Sequence, residues 1–256
     1  MTDQTRPLRA VFLDIGDTVM RPNPPWEAVY AIAFGEFGVD VEMDELHAAL
    51  RRAYHHGGWG IDDVGFAPTE EESFRRTVEI DAAAIAELGL DPMPEAFFRR
   101  LAELFMVTSH WHIFPDAYGA LGALKERGLI VGAVSNWVWN LPELLHALDL
   151  VRHFDFIAAS SRVGFEKPHP RIFEWALEQA KADADQVIHV GDHLLADVEG
   201  ARAVGIGGVL IDRFGRHDQA DVPDDIPVIA SLDELLPIVD ARVDARADTG
   251  LDGRGA

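Results

Sequence analysis

A chain of 256 residues, 48% of them hydrophobic, is long enough to bury the core of one domain and a large insertion besides. Its 44 acidic against 22 basic residues leave a net charge of −22, a surface that repels phosphate backbones and argues against nucleic-acid partners. There is no cysteine, hence no disulfide framework and no thiolate metal site.

No stretch approaches the roughly 18 apolar residues of a membrane span, so no membrane partner is expected. The first apolar run leads straight into Asp14 and has no cleavage-site pattern, so it does not read as a signal peptide. With the lack of cysteine, this suits a cytoplasmic location. Oligomeric state leaves no trace in the sequence.

Residues 8–14, "LRAVFLD", read as a buried strand ending at Asp14. The next ninety or so residues are helical in pattern: "PWEAVYAIAFGEFG", "EMDELHAALRRAYHH", "PTEEESFRRTVEIDAAAIAELG" and "PEAFFRRLAELFMVTSHW". Apolar residues recur at helical spacing, and Gly, Asp and Pro mark the joins. From Phe114 the rhythm becomes helix and strand in alternation: "DAYGALGALKERG" then "LIVGAVS", "NLPELLHALDL" then "FDFIAAS". "HPRIFEWALEQAKA" then "QVIHVGD", and "LADVEGARAVG" then "GGVLIDR", continue it, with a last short strand and helix in "IPVIASLDELLPIVD". Short apolar strands alternating with amphipathic helices predict a doubly wound parallel α/β sheet. The expected boundaries are a core of 1–20 and 110–240, an inserted all-helical block of 21–109, and a disordered tail of 241–256, where apolar residues are few. An insertion after the first strand lies over the edge where open α/β sheets bind ligands, and reads as a lid.

Four polar features fall at or soon after carboxyl ends of predicted strands. They are Asp14 in "FLDIGDT", Ser135 in "VGAVSNW", Lys167 in "GFEKPHP" and Asp192 in "HVGDHLLADVEGA". Each alone also reads as a turn residue, a helix cap or a solvated lysine. Together, in this order and on one sheet edge, they resemble the motifs of the haloacid dehalogenase superfamily, whose members are mostly phosphatases. "FIAASSRVGFEKPHPRIFEWAL" and "VIHVGDHLLADVEGARAVGI" are similar to the branch with an all-helical cap inserted after the first motif.

The resemblance implies a Rossmann-like core and a phosphoryl-transfer site for a small phosphorylated metabolite. Such chemistry needs a nucleophile, a divalent cation and donors aimed at phosphoryl oxygens. Asp14 would be the nucleophile, forming an aspartyl-phosphate that water hydrolyses. Mg²⁺ would be held by Asp14, the carbonyl of Gly16, Asp192 and Asp197. Ser135, Asn136 and Lys167 would contact the phosphoryl group, and Thr18 would order the first loop.

One departure stands out. The phosphatases of this family carry a second Asp two residues after the first, as acid and then base; here that place is Gly16. Losing a positioned acid costs about 10²–10⁴ in rate. Asp17 and His193 are the neighbouring groups to consider as substitutes. Dehalogenases lack the acid but also the metal, whereas this chain keeps Asp192 and Asp197. Phosphonoacetaldehyde hydrolases use a lysine of the cap, and no lysine precedes Lys125. Three readings follow: a slow Mg²⁺-dependent phosphatase or one whose leaving group needs little protonation, a dehalogenase-like hydrolase, or a non-catalytic binder of a phosphorylated ligand or protein. In the helical block, His55, His56 and Trp59 of a Gly-rich turn and Arg51, Arg52, Arg75 and Arg76 are candidates to meet a substrate. Trp137 follows Ser135 closely enough to line the same pocket.

Overall fold

The computed structural model describes residues 6–56, 65–218 and 220–248. At its centre β1 (Ala10–Leu13) lies between β4 (Ile130–Ser135) and β6 (Val187–Gly191), parallel to both. With β5 (Phe156–Ala159), β7 (Gly207–Ile211) and β8 (Val228–Ile229) they form a six-stranded sheet of order β5-β4-β1-β6-β7-β8. Every neighbouring pair in it is parallel.

Both faces are covered, which is why β1 is apolar throughout instead of alternating with polar residues. Val11 and Leu13 point into one cluster with Leu121 and Leu124 of α5 (Ala117–Glu126), Leu144 of α6 (Leu141–Ala147) and Val239 of α10 (Leu235–Asp248). Ala10 and Phe12 point the other way, into a cluster with Val163 of α7 (Ser160–Val163), Ile172, Phe173 and Ala176 of α8 (Pro170–Ala180) and Ala201 of α9 (Gly200–Ala203). The period of two along the strand thus separates two cores.

Between β1 and β4 lie four helices: α1 (Trp26–Glu36), α2 (Met43–His56), α3 (Glu70–Glu87) and α4 (Glu95–Phe105). They bury a cluster of their own that includes Phe34, Leu46, Ile85, Phe97 and Leu101. Thr69 caps α3, its hydroxyl accepting the Glu72 N–H at 3.2 Å.

The chain enters and leaves this block through an antiparallel ribbon of β2 (Met20–Pro22) and β3 (Trp111–Ile113). The helical pattern read through Trp111 therefore ends early, at Phe105. The cause is local: Trp111 Nε1 donates to the Phe105 carbonyl at 2.9 Å, and His110 Nδ1 lies 2.9 Å from the Leu104 carbonyl. Two side chains occupy carbonyls that the next helical turn would have used.

The expected tail is corrected in its first part. α10 runs to Asp248, because Val239 and Val243 pack on the sheet, while Arg127 pairs with Asp240 at 2.6 Å. Two apolar residues four apart are enough to hold a helix against a preformed surface. Residues 249–256 lie outside the described residues. Among the described residues no helix is long and apolar enough to cross a membrane.

Candidate active site

The chain lays down β1, β4 and β5 on one side before crossing to β6, β7 and β8 on the other. Connections leaving in opposite directions open a crevice at the carboxyl ends of β1 and β6, where sheets of this kind take ligands. Asp14 follows β1 at this point, its N–H donating to Val190 of β6 at 2.8 Å. Ser135 ends β4, and its hydroxyl donates to Asp14 Oδ1 at 2.8 Å. Asp192 follows the last residue of β6.

Lys167 arrives from a loop, and Asn136 brings it there. The Asn136 side-chain amide donates to the Lys167 carbonyl at 2.9 Å and its carbonyl accepts the Lys167 N–H at 2.6 Å. The lysine Nζ then donates to Asp14 Oδ1 at 2.6 Å and to Asp197 Oδ1 at 2.5 Å. Lys167 is 3% exposed, Asp14 7% and Asp197 1%. Asp197 also meets His189 Nε2 at 2.9 Å and accepts the His193 N–H at 3.0 Å. The result is one buried chain of contacts: His189, Asp197, Lys167, Asp14, Ser135.

Asp197 can lie this deep only because residue 191 is glycine. A Cβ there would sit 2.2 Å from the Asp197 Cγ. The same reasoning gives a different answer at Gly16, where a Cβ would meet Trp137 at 3.7 Å and Asp14 Oδ2 at 4.0 Å. Both are ordinary contacts, so backbone sterics do not demand a glycine there. The position faces the Asp14 oxygen that Ser135 and Lys167 leave alone.

The charges do not balance. Burial raises Asp14 above the usual carboxylate range against the pull of Lys167. Burial works the same way on Asp197, but Lys167 and His189 outweigh it and hold that carboxyl low. Burial would lower Lys167, yet Asp14 and Asp197 keep its ammonium above its ordinary value. Asp192 is pushed up to about 8, first by burial and then by Asp14, Asp197 and Asp17. Asp14, Asp192 and Asp197 each offer an oxygen within 4.8 Å of the others, and among the described residues Lys167 is the one ammonium or guanidinium paired with any of the three. An all-oxygen donor set, in surplus negative charge once its carboxyls are ionised, fits a hard divalent cation such as Mg²⁺. Asp14, Asp192 and Asp197 are the residues that would hold it.

A profile of the haloacid dehalogenase-like hydrolases matches residues 8–205. The chain belongs to this family. It is 31% identical over 252 residues to bovine haloacid dehalogenase-like hydrolase domain-containing protein 3, covering 91% of this chain and 94% of that one. It is 26% identical over 220 residues to ribulose-1,5-bisphosphate 5-phosphatase of Halopiger xanaduensis, covering 84% and 89%. Among solved structures, the HAD-hydrolase YfnB from Bacillus subtilis, bound to magnesium, superposes with a TM-score of 0.70 at 20% identity over 91% of this chain and 99% of that one.

In this haloacid dehalogenase-like hydrolase, then, Asp14, Ser135, Lys167, Asp192 and Asp197 come together at one crevice. Other residues singled out from sequence are placed otherwise. Asn136 spends its amide on the Lys167 backbone, so it holds the lysine's loop instead of presenting a free group to a ligand. Asp17, at φ +50°, gives its carboxylate to Arg216 Nη1 at 2.7 Å. His193 is exposed, and its Nδ1 caps the following turn by accepting the Ala196 N–H at 3.1 Å. Thr18 is fully buried, and its carbonyl accepts from Arg213, which pairs with Asp116 at 2.9 Å.

Arg52, Arg75 and Arg76 pair with Glu87, Glu72 and Glu166. Trp59 and the side chains of His55 and His56 lie outside the described residues. His189 and Arg213 escaped sequence reading. A histidine inside the strand "VIHVG" was the one available signal, an ionisable group where the pattern calls for an apolar one.

Proposed function

We propose that this hydrolase is a Mg²⁺-dependent phosphatase of a small phosphorylated compound, with Asp14 as nucleophile. The observation that carries the reading is the asymmetry of the Asp14 carboxylate. Oδ1 accepts from Ser135 and Lys167, while Oδ2 accepts no hydrogen bond among the described residues and lies 4.0 Å from where a Cβ on Gly16 would stand. One oxygen is anchored and the other is free to attack. Asp14 Oδ2 bonds to phosphorus as the ester P–O bond breaks, and water then attacks the aspartyl-phosphate to release phosphate and restore the carboxylate. Ser135 and Lys167 orient the nucleophile and offset charge on the phosphoryl oxygens. When bound, Mg²⁺ supplies further positive charge against those oxygens.

The carboxylate surplus favours this reading over a haloacid substrate, whose displacement needs no cation. The helices of 21–109 act as a cap that shields the crevice. A second reading, binding without turnover, is favoured by one observation: the acid position is Gly16, and the adjacent Asp17 is committed to Arg216. Phosphate release from a panel of monoesters, with and without Mg²⁺, in the native chain and Asp14→Asn, separates the two. Release that needs both Mg²⁺ and Asp14 is expected. Saturable binding of a phosphate mimic with no release from any ester would replace the phosphatase by a binder.

A further inference from the structure

The space beside Asp14 Oδ2, where the acid of related phosphatases stands, is walled by an aromatic ring. A Cβ on Gly16 would touch Trp137 Cζ3 at 3.7 Å and Asp14 Oδ2 at 4.0 Å, so ring and nucleophile flank the same point. Trp137 is held firmly. Its backbone N–H donates to Ser160 Oγ at 3.1 Å, and its backbone carbonyl accepts from Ser161 Oγ at 2.7 Å and Ser161 N at 3.2 Å. Behind it the rings continue across the seam between sheet and helical block. Trp111 lies 5.3 Å from Trp137, Trp26 lies 5.5 Å from Trp111 and 6.3 Å from Trp137, and Phe105 lies 5.0 Å from Trp26. Packing accounts for the buried Trp111. Trp26, at the start of α1, packs on this cluster and still leaves 42% of its surface exposed.

Resting on the phosphatase reading above, we propose that the substrate is an aryl phosphate monoester, its ring lying against Trp137 and Trp26. Two independent features converge on this. The first is chemical. With no acid at position 16, the leaving oxygen departs unprotonated, which a phenolate with a conjugate-acid pKa of about 10 tolerates and an alkoxide, nearer to water at about 16, does not. The second is physical: an offset or edge-on ring pair is attractive beyond the area it buries. The step balances simply. Asp14 Oδ2 forms the new P–O bond, the aryl oxide leaves with the electron pair and takes a proton from solvent, and water returns Asp14 to its starting state.

The test compares phenyl phosphate with hexafluoroisopropyl phosphate, whose leaving groups have similar acidity, and with ethyl phosphate. A kcat/KM about tenfold higher for phenyl than for hexafluoroisopropyl phosphate is expected, the size of one or two ring contacts. Trp137→Leu should bring that ratio close to one through KM, and Trp137→Phe should keep most of it. Gly16→Asp should raise ethyl phosphate turnover by about 10²-fold or more and erode the phenyl advantage, because the new carboxylate fills the ring's place. Equal rates on the matched pair, or a Trp137→Leu variant that slows both esters alike, would overturn the aryl assignment and leave the phosphatase standing. No Asp14-dependent release from any of the three esters would remove both.

Discussion

The carboxylate of Asp197 occupies the volume that a side chain on Gly191 would need. An added methyl would lie 2.2 Å from Asp197 Cγ and 2.3 Å from its Oδ2. Gly191 closes β6, hydrogen-bonded between β1 and β7, so the backbone has little room to yield. Gly191→Ala should therefore displace Asp197 from Lys167 and His189. A loss of about 1–3 kcal/mol in stability is expected, as for other overpacked sites. A larger loss is expected in Mg²⁺ affinity, read by titration of tryptophan fluorescence. Native affinity in a variant of lowered melting temperature would mean that Asp197 has no part in holding the cation.

Lys167 neutralises two buried carboxylates at once. Replacing it by Met leaves Asp14 with Ser135 alone and Asp197 with His189 and one backbone N–H. Uncompensated buried charge of this kind costs about 3–5 kcal/mol. Adding Asp197→Asn to Lys167→Met should recover part of that, because it removes one of the orphaned charges. A double-mutant cycle by denaturant unfolding checks it: a coupling near zero would show that the two residues act independently.

At pH 7 the cation-free site should keep a proton that the loaded site cannot. Asp192 sits at about 8, raised by burial and by Asp14, Asp197 and Asp17. A carboxylate must be ionised to ligate a hard cation, so Mg²⁺ binding should release about one proton at pH 7 and fewer as the pH passes 8. Calorimetry in buffers of different ionisation enthalpy measures this directly. Heat independent of the buffer would mean that Asp192 is already ionised.

How much of this could be read in advance follows from the range of the contacts. Asp14, Ser135 and Asp192 each stand next to an apolar strand, and a strand end is a local signal. Lys167 was legible through its Pro168 and the order of motifs, not through its partners. The β2–β3 ribbon is three residues to a side and has no period to detect, so Trp111 reads as the end of a helix. Arg213 and Asp116 meet across 97 residues, and His189 and Asp197 meet because a glycine permits it. Such pairings leave no mark on the hydrophobic pattern. The committed carboxylate of Asp17 is of the same kind, since its partner Arg216 lies 199 residues away.

The helical block carries a titration of its own, distant in chemistry from the crevice. Asp81 of α3 is 1% exposed, and its Oδ1 accepts from Tyr30 at 2.6 Å and Tyr54 at 3.1 Å. Among the described residues no basic group pairs with it. Burial pushes its carboxyl from 3.8 to about 6, although the two tyrosine hydroxyls pull the other way. The folded chain thus holds this proton more tightly than the unfolded chain does. The stabilisation is complete below about pH 4 and is lost as pH rises through 6, a span worth about 3 kcal/mol. Asp81→Asn keeps an oxygen for both tyrosines and cannot ionise, so it should gain on the native chain as the pH climbs. Melting of both proteins from pH 4.5 to 8 isolates the effect, because every histidine that titrates in this range is common to the two. The difference in stability should grow by about 1–3 kcal/mol in favour of the Asn variant between those limits. A difference independent of pH would place the Asp81 carboxyl at its ordinary value and leave the tyrosine pair as packing alone.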